Sequence, residues 1–155
     1  MQCSLSYHDG AFDIDLGGRR GVTVAGSDWP APLADPDGSL REALERPAGA
    51  PALRVIIPRS GRIAVLISDV TRGGITGRLL AGLLGYLEAH GAGPDRVTVI
   101  CALGMHRGYR DGELAAHVGA DIARRWMVLE HDARDAASLV EVGTTPAKTP
   151  CLFNR

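Results

Sequence analysis

Hydrophobic positions change their period along the chain, and each change marks a different element. Residues 2–7 and 11–16 alternate in character around His8, Asp9 and Gly10, which predicts a β-hairpin with a short loop. Residues 20–25 form another short extended piece, and the prolines of the connector at 27–38 exclude regular structure there. A short helix is predicted over 39–45, with Asp37 or Ser39 as N-cap and Pro47 ending it. The β-branched run at 52–57 favours a strand, cut short by Pro58 and Gly61.

From Arg62 onward the pattern settles into repeated strand, polar loop and helix. Residues 63–67 are an apolar run of the kind found in parallel strands buried on both faces. Ser68 to Gly74 then form a polar loop, and Ile75, Leu79, Leu80, Leu83, Leu84 and Leu87 follow at helical spacing as far as His90 and Gly91. A second unit consists of a strand at 97–103, a loop at 104–108 and a helix at 111–118 that stops at Gly119. A third strand begins at 127–129 and opens into Glu130, His131 and Asp132, and 151–153 reads as a fourth strand. This alternation predicts a Rossmann-like α/β domain over residues 1–155: a parallel sheet flanked by helices, preceded by the N-terminal hairpin.

Composition narrows the function. A chain of 155 residues that is 45% hydrophobic can bury the core of one domain, and its 20 glycines and 9 prolines punctuate apolar segments without forming a biased tract. The net charge of −1, from 17 basic and 18 acidic residues, gives no electrostatic footprint for nucleic acid or an anionic membrane. The longest apolar stretch, 79–87, is interrupted by Gly82 and Gly85 and is too short to span a bilayer. With no secretory leader pattern at the N-terminus, a cytoplasmic location is expected. Cys3, Cys101 and Cys151 lie too far apart for a CxxC unit and read as reduced thiols, Cys101 within a buried strand.

In an open α/β sheet, ligands bind beyond the carboxyl ends of the strands, and reactive side chains collect there three times: Asp69 with Arg72, His106 with Arg107, and His131 with Asp132. Each pair taken singly also fits a residue capping the next helix. Together they offer a carboxylate, a guanidinium and a histidine, the parts needed to hold an anion and move a proton beside it. Thr71, Arg72, Gly73 and Gly74 open a helix and suit a phosphate cradle, although neither the Walker pattern nor GxGxxG is present. His8 and His90 read as turn and helix-end residues, His117 as a surface residue, and no His, Cys or Asp pair has metal-ligand spacing.

At these loops the sequence resembles the amino-terminal domain of the nickel-pincer lactate racemases. The resemblance rests on Ser68-Asp69-Val70-Thr71-Arg72, on Ala102-Leu103-Gly104-Met105-His106-Arg107, on His131-Asp132-Ala133, and on Thr149-Pro150 through Asn154-Arg155. It implies a two-domain enzyme that racemises a 2-hydroxy acid by reversible hydride transfer. The cofactor would be a nickel-pincer nucleotide, pyridinium-3,5-bisthiocarboxylic acid mononucleotide carrying nickel, held between the domains. Carried over by position, His106 would be an acid–base histidine. Asp69, Thr71, Arg72, Gly73, Gly74, Arg107 and His131 would bind substrate or cofactor, and no metal ligand would lie in this chain. The family's second histidine, its cofactor-linking lysine and its nickel-ligating histidine would follow Arg155, so the chain is expected to need the C-terminal domain and to be inactive alone.

Two positions depart from the family pattern: Gly73 stands where a proline often follows the Thr-Arg pair, and Lys148 where a glycine precedes Thr149-Pro150. Two other readings stay open at this stage. One is a stand-alone module that binds a nucleotide or carboxylate without chemistry. The other is a cofactor-free hydrolase or isomerase using His106 and Asp132, for which no nucleophile elbow is present.

Overall fold

A computed structural model describes residues 2–7, 10–23, 25–26, 30–72 and 74–154, with backbone alone at Tyr7 and Asn154. The chain divides into two compact units, Met1–Leu33 and Ala34–Arg155.

The first unit holds the hairpin. Strands β1 (Gln2–Tyr7) and β2 (Gly10–Asp15) pair antiparallel, Gln2 opposite Asp15 and Tyr7 opposite Gly10, as the alternation predicts. The loop residues His8 and Asp9 lie outside the described residues. Among the described residues of 20–25 there is no strand.

The second unit opens with α1 (Pro36–Glu45), which begins three residues before the predicted start. Asp35 is its N-cap: Oδ1 accepts the Gly38 N–H at 2.9 Å, and Pro36 occupies the first turn, where a missing N–H costs nothing. The run expected to be a strand at 52–57 is instead a short helix, α2 (Leu53–Ile56). Among the described residues this segment pairs with no strand, and a helical turn brings Leu53 and Ile57 onto the same hydrophobic core.

Strands β3 (Ile63–Ile67), β4 (Val97–Cys101) and β5 (Met127–Glu130) form a parallel sheet in chain order, with Ile63 beside Val97 and Cys101 beside Glu130. Helix α3 (Thr76–Ala89) connects the first pair. The second crossover is two helices, α4 (Glu113–Val118) and α5 (Ala120–Arg125), where one was predicted. Gly119, at φ 96°, makes the break in a conformation that residues with a Cβ rarely adopt.

The predicted fourth strand, β7 (Pro150–Asn154), does not join this sheet. It pairs antiparallel with β6 (Leu139–Thr144), which alternation missed because a register shift between Glu141 and Gly143 interrupts it. The hairpin turns through Pro146, Ala147 and Lys148, with the Lys148 N–H on the Thr145 carbonyl at 2.9 Å and Lys148 at φ 61°. A three-residue loop of this kind requires a left-handed third residue, the position where the family pattern has glycine.

The core lies on one side of the sheet. Leu80, Leu84 and Leu87 of α3, Val118 and Ile122 of the second crossover, and Trp126 pack against Val97 and Val99, with Ile63, Val65 and Ile67 alongside. Burial of each such side chain contributes about 1.5–3 kcal/mol. The opposite face is open: Leu66 is 70% exposed, Met127 60% and Leu129 49%. Burial on both faces, expected from the continuous apolar run of β3, therefore holds for one face only. At the amino edge of the strands the Arg96 guanidinium donates to the carbonyls of Pro58, Gly61 and Gly91 at 2.6, 3.0 and 2.7 Å, fastening the connections there. At the carboxyl edge, the loops after β3, β4 and β5 emerge side by side.

Candidate active site

β3 delivers Asp69 to the carboxyl edge, where the residue is 4% exposed. A buried carboxylate must have its oxygens satisfied. Oδ1 accepts the Thr71 hydroxyl at 2.6 Å and the Thr71 N–H at 3.1 Å, closing a tight turn at Val70–Arg72. Oδ2 meets His106 Nδ1 across from the next loop. Donation by the Thr71 hydroxyl and then by His106 outweighs desolvation and holds the Asp69 carboxyl down at about 2. Ionised, it can only accept, so His106 Nδ1 carries a proton, and in the neutral ring Nε2 is the nitrogen with the lone pair. The His106 side chain is 54% exposed, with that nitrogen free of partners among the described residues.

Asp69, Arg72, Gly104, Met105 and His106 line a cleft of about 260 Å³. The Arg72 guanidinium is exposed there and makes no hydrogen bond or ion pair among the described residues. An unpaired guanidinium, an oriented imidazole and a buried carboxylate thus share one small cleft, which suits an anion bearing an exchangeable proton.

The remaining expected site residues fall elsewhere. Thr71 serves Asp69 and does not line the cleft. Arg107 pairs bidentately with Glu113 at 2.7 and 2.9 Å and reaches the Gly108 carbonyl, bracing its own loop against the first turn of α4. Glu113 also takes the Arg110 N–H, and these donors, Arg107 foremost, hold its carboxyl at about 2. Gly74, at φ 84°, borders a groove between α3 and α4, and Gly73 lies outside the described residues. His131 is half-buried in an apolar trough that shares Ala102 and Gly104 with the cleft. Asp132 caps its own turn by accepting the Arg134 N–H at 2.8 Å.

Sequence reasoning missed the braces behind the cleft. Glu130 accepts the Tyr109 N–H at 3.0 Å, and a Cβ at Gly108 would lie 2.5 Å from the same carboxylate, so the loop after β4 seats closely against the end of β5. The signal was available: Glu130 ends a strand at the edge where the site residues gather. His117, expected at the surface, is half-buried and donates from Nε2 to the Ser68 carbonyl at 3.0 Å. Gly77 permits that approach, because a Cβ there would meet the His117 carbonyl at 2.9 Å. Tyr109 and Cys101 hydrogen-bond at 2.9 Å, and burial pushes both the phenol and the thiol up, leaving them neutral. Cys101 is buried in its strand, as expected.

The sequence pattern that defines the lactate racemase N-terminal domain matches residues 7–155. The chain belongs to that family. It is 28% identical over 147 residues to a lactate racemase of Thermoanaerobacterium thermosaccharolyticum, covering 94% of this chain and 34% of that one. With a lactate racemase of Lactiplantibacillus plantarum it shares 27% over 118 residues, 76% of this chain and 27% of that one. The chain therefore spans about a third, or less, of the curated relatives it matches. The solved lactate racemase apoprotein of T. thermosaccharolyticum superposes with a TM-score of 0.79 at 22% identity, over 99% of this chain and 36% of that one. A crystal structure of a Thermotoga maritima protein gives 0.57 at 22% identity, over 72% of this chain and 25% of that one. These likenesses establish the α/β fold. Among the described residues no helix is long and apolar enough to cross a membrane, and no group of three His, Cys, Asp or Glu could hold a metal ion.

Proposed function

We propose that this chain forms the substrate- and cofactor-facing portion of a racemase or epimerase of 2-hydroxy acids. The observation that carries this reading is the unpaired Arg72 beside the Asp69–His106 pair in one cleft, in a chain of this family. A planar guanidinium meets a carboxylate or phosphate with two parallel hydrogen bonds, which fixes the orientation of a small hydroxy acid. His106 Nε2 then accepts the substrate's hydroxyl proton and later returns it. Asp69 acts through His106, holding the ring so that the basic nitrogen faces the cleft, and Thr71 holds Asp69 in turn.

The nickel-pincer nucleotide expected from the resemblance is an anionic ligand, and the free Arg72 fits it in charge. His131 borders the neighbouring trough. When bound, that cofactor would supply the hydride acceptor for the substrate's α-carbon. Nickel ligands would come from outside the described residues. The chain alone is proposed to be inactive, in the cytoplasm, working with the C-terminal two thirds of its longer relatives and with neither nucleic acid nor membrane. The cofactor-free reading with His106 and Asp132 loses support, because the His106 partner is Asp69 and Asp132 serves its own turn.

Steady-state kinetics of a complete enzyme carrying this domain test the proposal, with cofactor occupancy followed by absorbance. Arg72→Lys keeps the charge but loses the fork and should raise KM about tenfold with little change in kcat. His106→Ala should lower kcat roughly a hundredfold to ten-thousandfold. Full turnover in the alanine variant would remove His106 from the chemistry.

A further inference from the structure

The open face of the parallel sheet is a feature the cleft does not use. Parallel sheets are almost always covered on both faces, because their strands are apolar on both. Here both crossovers lie on one side, and the other exposes Leu66, Met127 and Leu129. The β6–β7 hairpin stands along this face, and a trough of about 690 Å³ runs between them, lined by Leu66, Ile100, Leu139, Leu152 and Phe153, with His131 at one end. Phe153 is 69% exposed, so the hairpin walls the trough without filling it.

We propose that this trough is a docking surface for an amphipathic α-helix belonging to the polypeptide that the longer family members carry beyond the matched region. The face of a sheet presents side chains and not ladder groups, so an occupant lying on it must satisfy its own backbone, as a helix does. A walled trough takes a cylinder about 10 Å across more readily than a second flat sheet. The floor is aliphatic and aromatic, which calls for a leucine- or phenylalanine-rich stripe without charge at its centre. The matched region is 34% of one relative and 27% of another, so such polypeptide is plentiful in those proteins. The inference rests on the fold and the family, not on the chemistry proposed for the cleft, so inactivity of an enzyme would not touch it.

The test compares the isolated chain with a chimera in which it replaces the matching third of the T. thermosaccharolyticum racemase. Leu66→Cys, Leu152→Cys and, as an exposed control on α2 outside the trough lining, Val55→Cys are introduced with Cys3 and Cys151 changed to serine. In the isolated chain all three thiols should react at similar rates with a maleimide. In the chimera those at 66 and 152 should slow at least tenfold and that at 55 should not. Equal rates in the chimera overturn the proposal. So does protection of 66 and 152 in the isolated chain at dimer mass, which would make a second copy the occupant. The isolated chain alone gives a further arm: it should bind an apolar fluorescent dye, and Leu66→Lys should reduce that binding at unchanged Tm. Dye binding unaffected by Leu66→Lys would show that the face is not open.

Discussion

Replacing Asp69 by asparagine changes one atom and should reverse a tautomer. Oδ1 of Asp69 faces two donors from Thr71, the hydroxyl at 2.6 Å and the backbone N–H at 3.1 Å, while Oδ2 faces His106 Nδ1. In Asp69→Asn the hydroxyl can turn to serve either an oxygen or an amide nitrogen, but the backbone N–H can only donate. That fixed donor keeps the amide oxygen toward Thr71; one hydrogen bond of ordinary strength favours this orientation about fivefold, before the clash of two donors in the flipped form is added. The NH₂ then points at His106 Nδ1, which must give up its proton and move it to Nε2. Neutral His106 can no longer accept a proton from the cleft. A wrong-tautomer substitution of this kind in a serine protease triad lowers kcat about 10⁴-fold, and a similar loss is expected in a complete enzyme. The direct assay is ¹⁵N-edited NMR of the neutral histidine ring in the isolated chain. Wild type should show the proton on Nδ1 and the variant should show it on Nε2, with backbone shifts outside the cleft unchanged. The same tautomer in both proteins would refute the assignment of Asp69 as the orienting residue.

Other outcomes follow from the same geometry. Lys148→Gly removes a Cβ from a left-handed residue, relieving about 1–2 kcal/mol of strain against about 0.5–1 kcal/mol of added chain entropy, so Tm should rise by a few degrees, while Lys148→Ala should leave it nearly unchanged. Leu84→Ala, at a side chain 1% exposed in the core, should cost about 2–5 kcal/mol by urea unfolding. Asp69 and Glu113 both have carboxyls held at about 2, below their unfolded values of about 4, so their contribution to stability is complete above about pH 4 and disappears as pH falls through 2. Urea midpoints measured from pH 5 to pH 2 should therefore fall more steeply in wild type than in Asp69→Asn or Glu113→Gln.

The elements most legible in the sequence were those whose period was long or unbroken. Residues 75–87 announced α3 through five leucines and one isoleucine at helical spacing, and Gly91 marked its end. The strand at 52–57 was misread because β-branched residues report on strand partners, and among the described residues this segment pairs with none. Strand β6 was hidden by an irregular register at Glu141 and Gly143. At the cleft, Asp69, Arg72 and His106 could be foreseen together because parallel strands deliver their loops to one edge. The sequence could not say that Arg107 would turn back to Glu113, or that His117 would reach Ser68. Those choices depend on distances between elements, which a one-dimensional pattern does not carry.

The order β3, β4, β5 has a consequence for how the protein assembles. Residue 63 pairs with residue 97, 34 positions later, and residue 98 with residue 127, 29 positions later, so each strand meets its neighbour after a single crossover. Among the described residues both pairings of this sheet join strands consecutive within it, and the entropy of closing each loop is nearly the same. During synthesis the sheet can therefore grow outward from β3 one strand at a time, each new crossover helix dropping onto a layer already begun. The loops that form the cleft would be completed in the same sequence, Asp69 waiting in its turn until the next strand brings His106 to it.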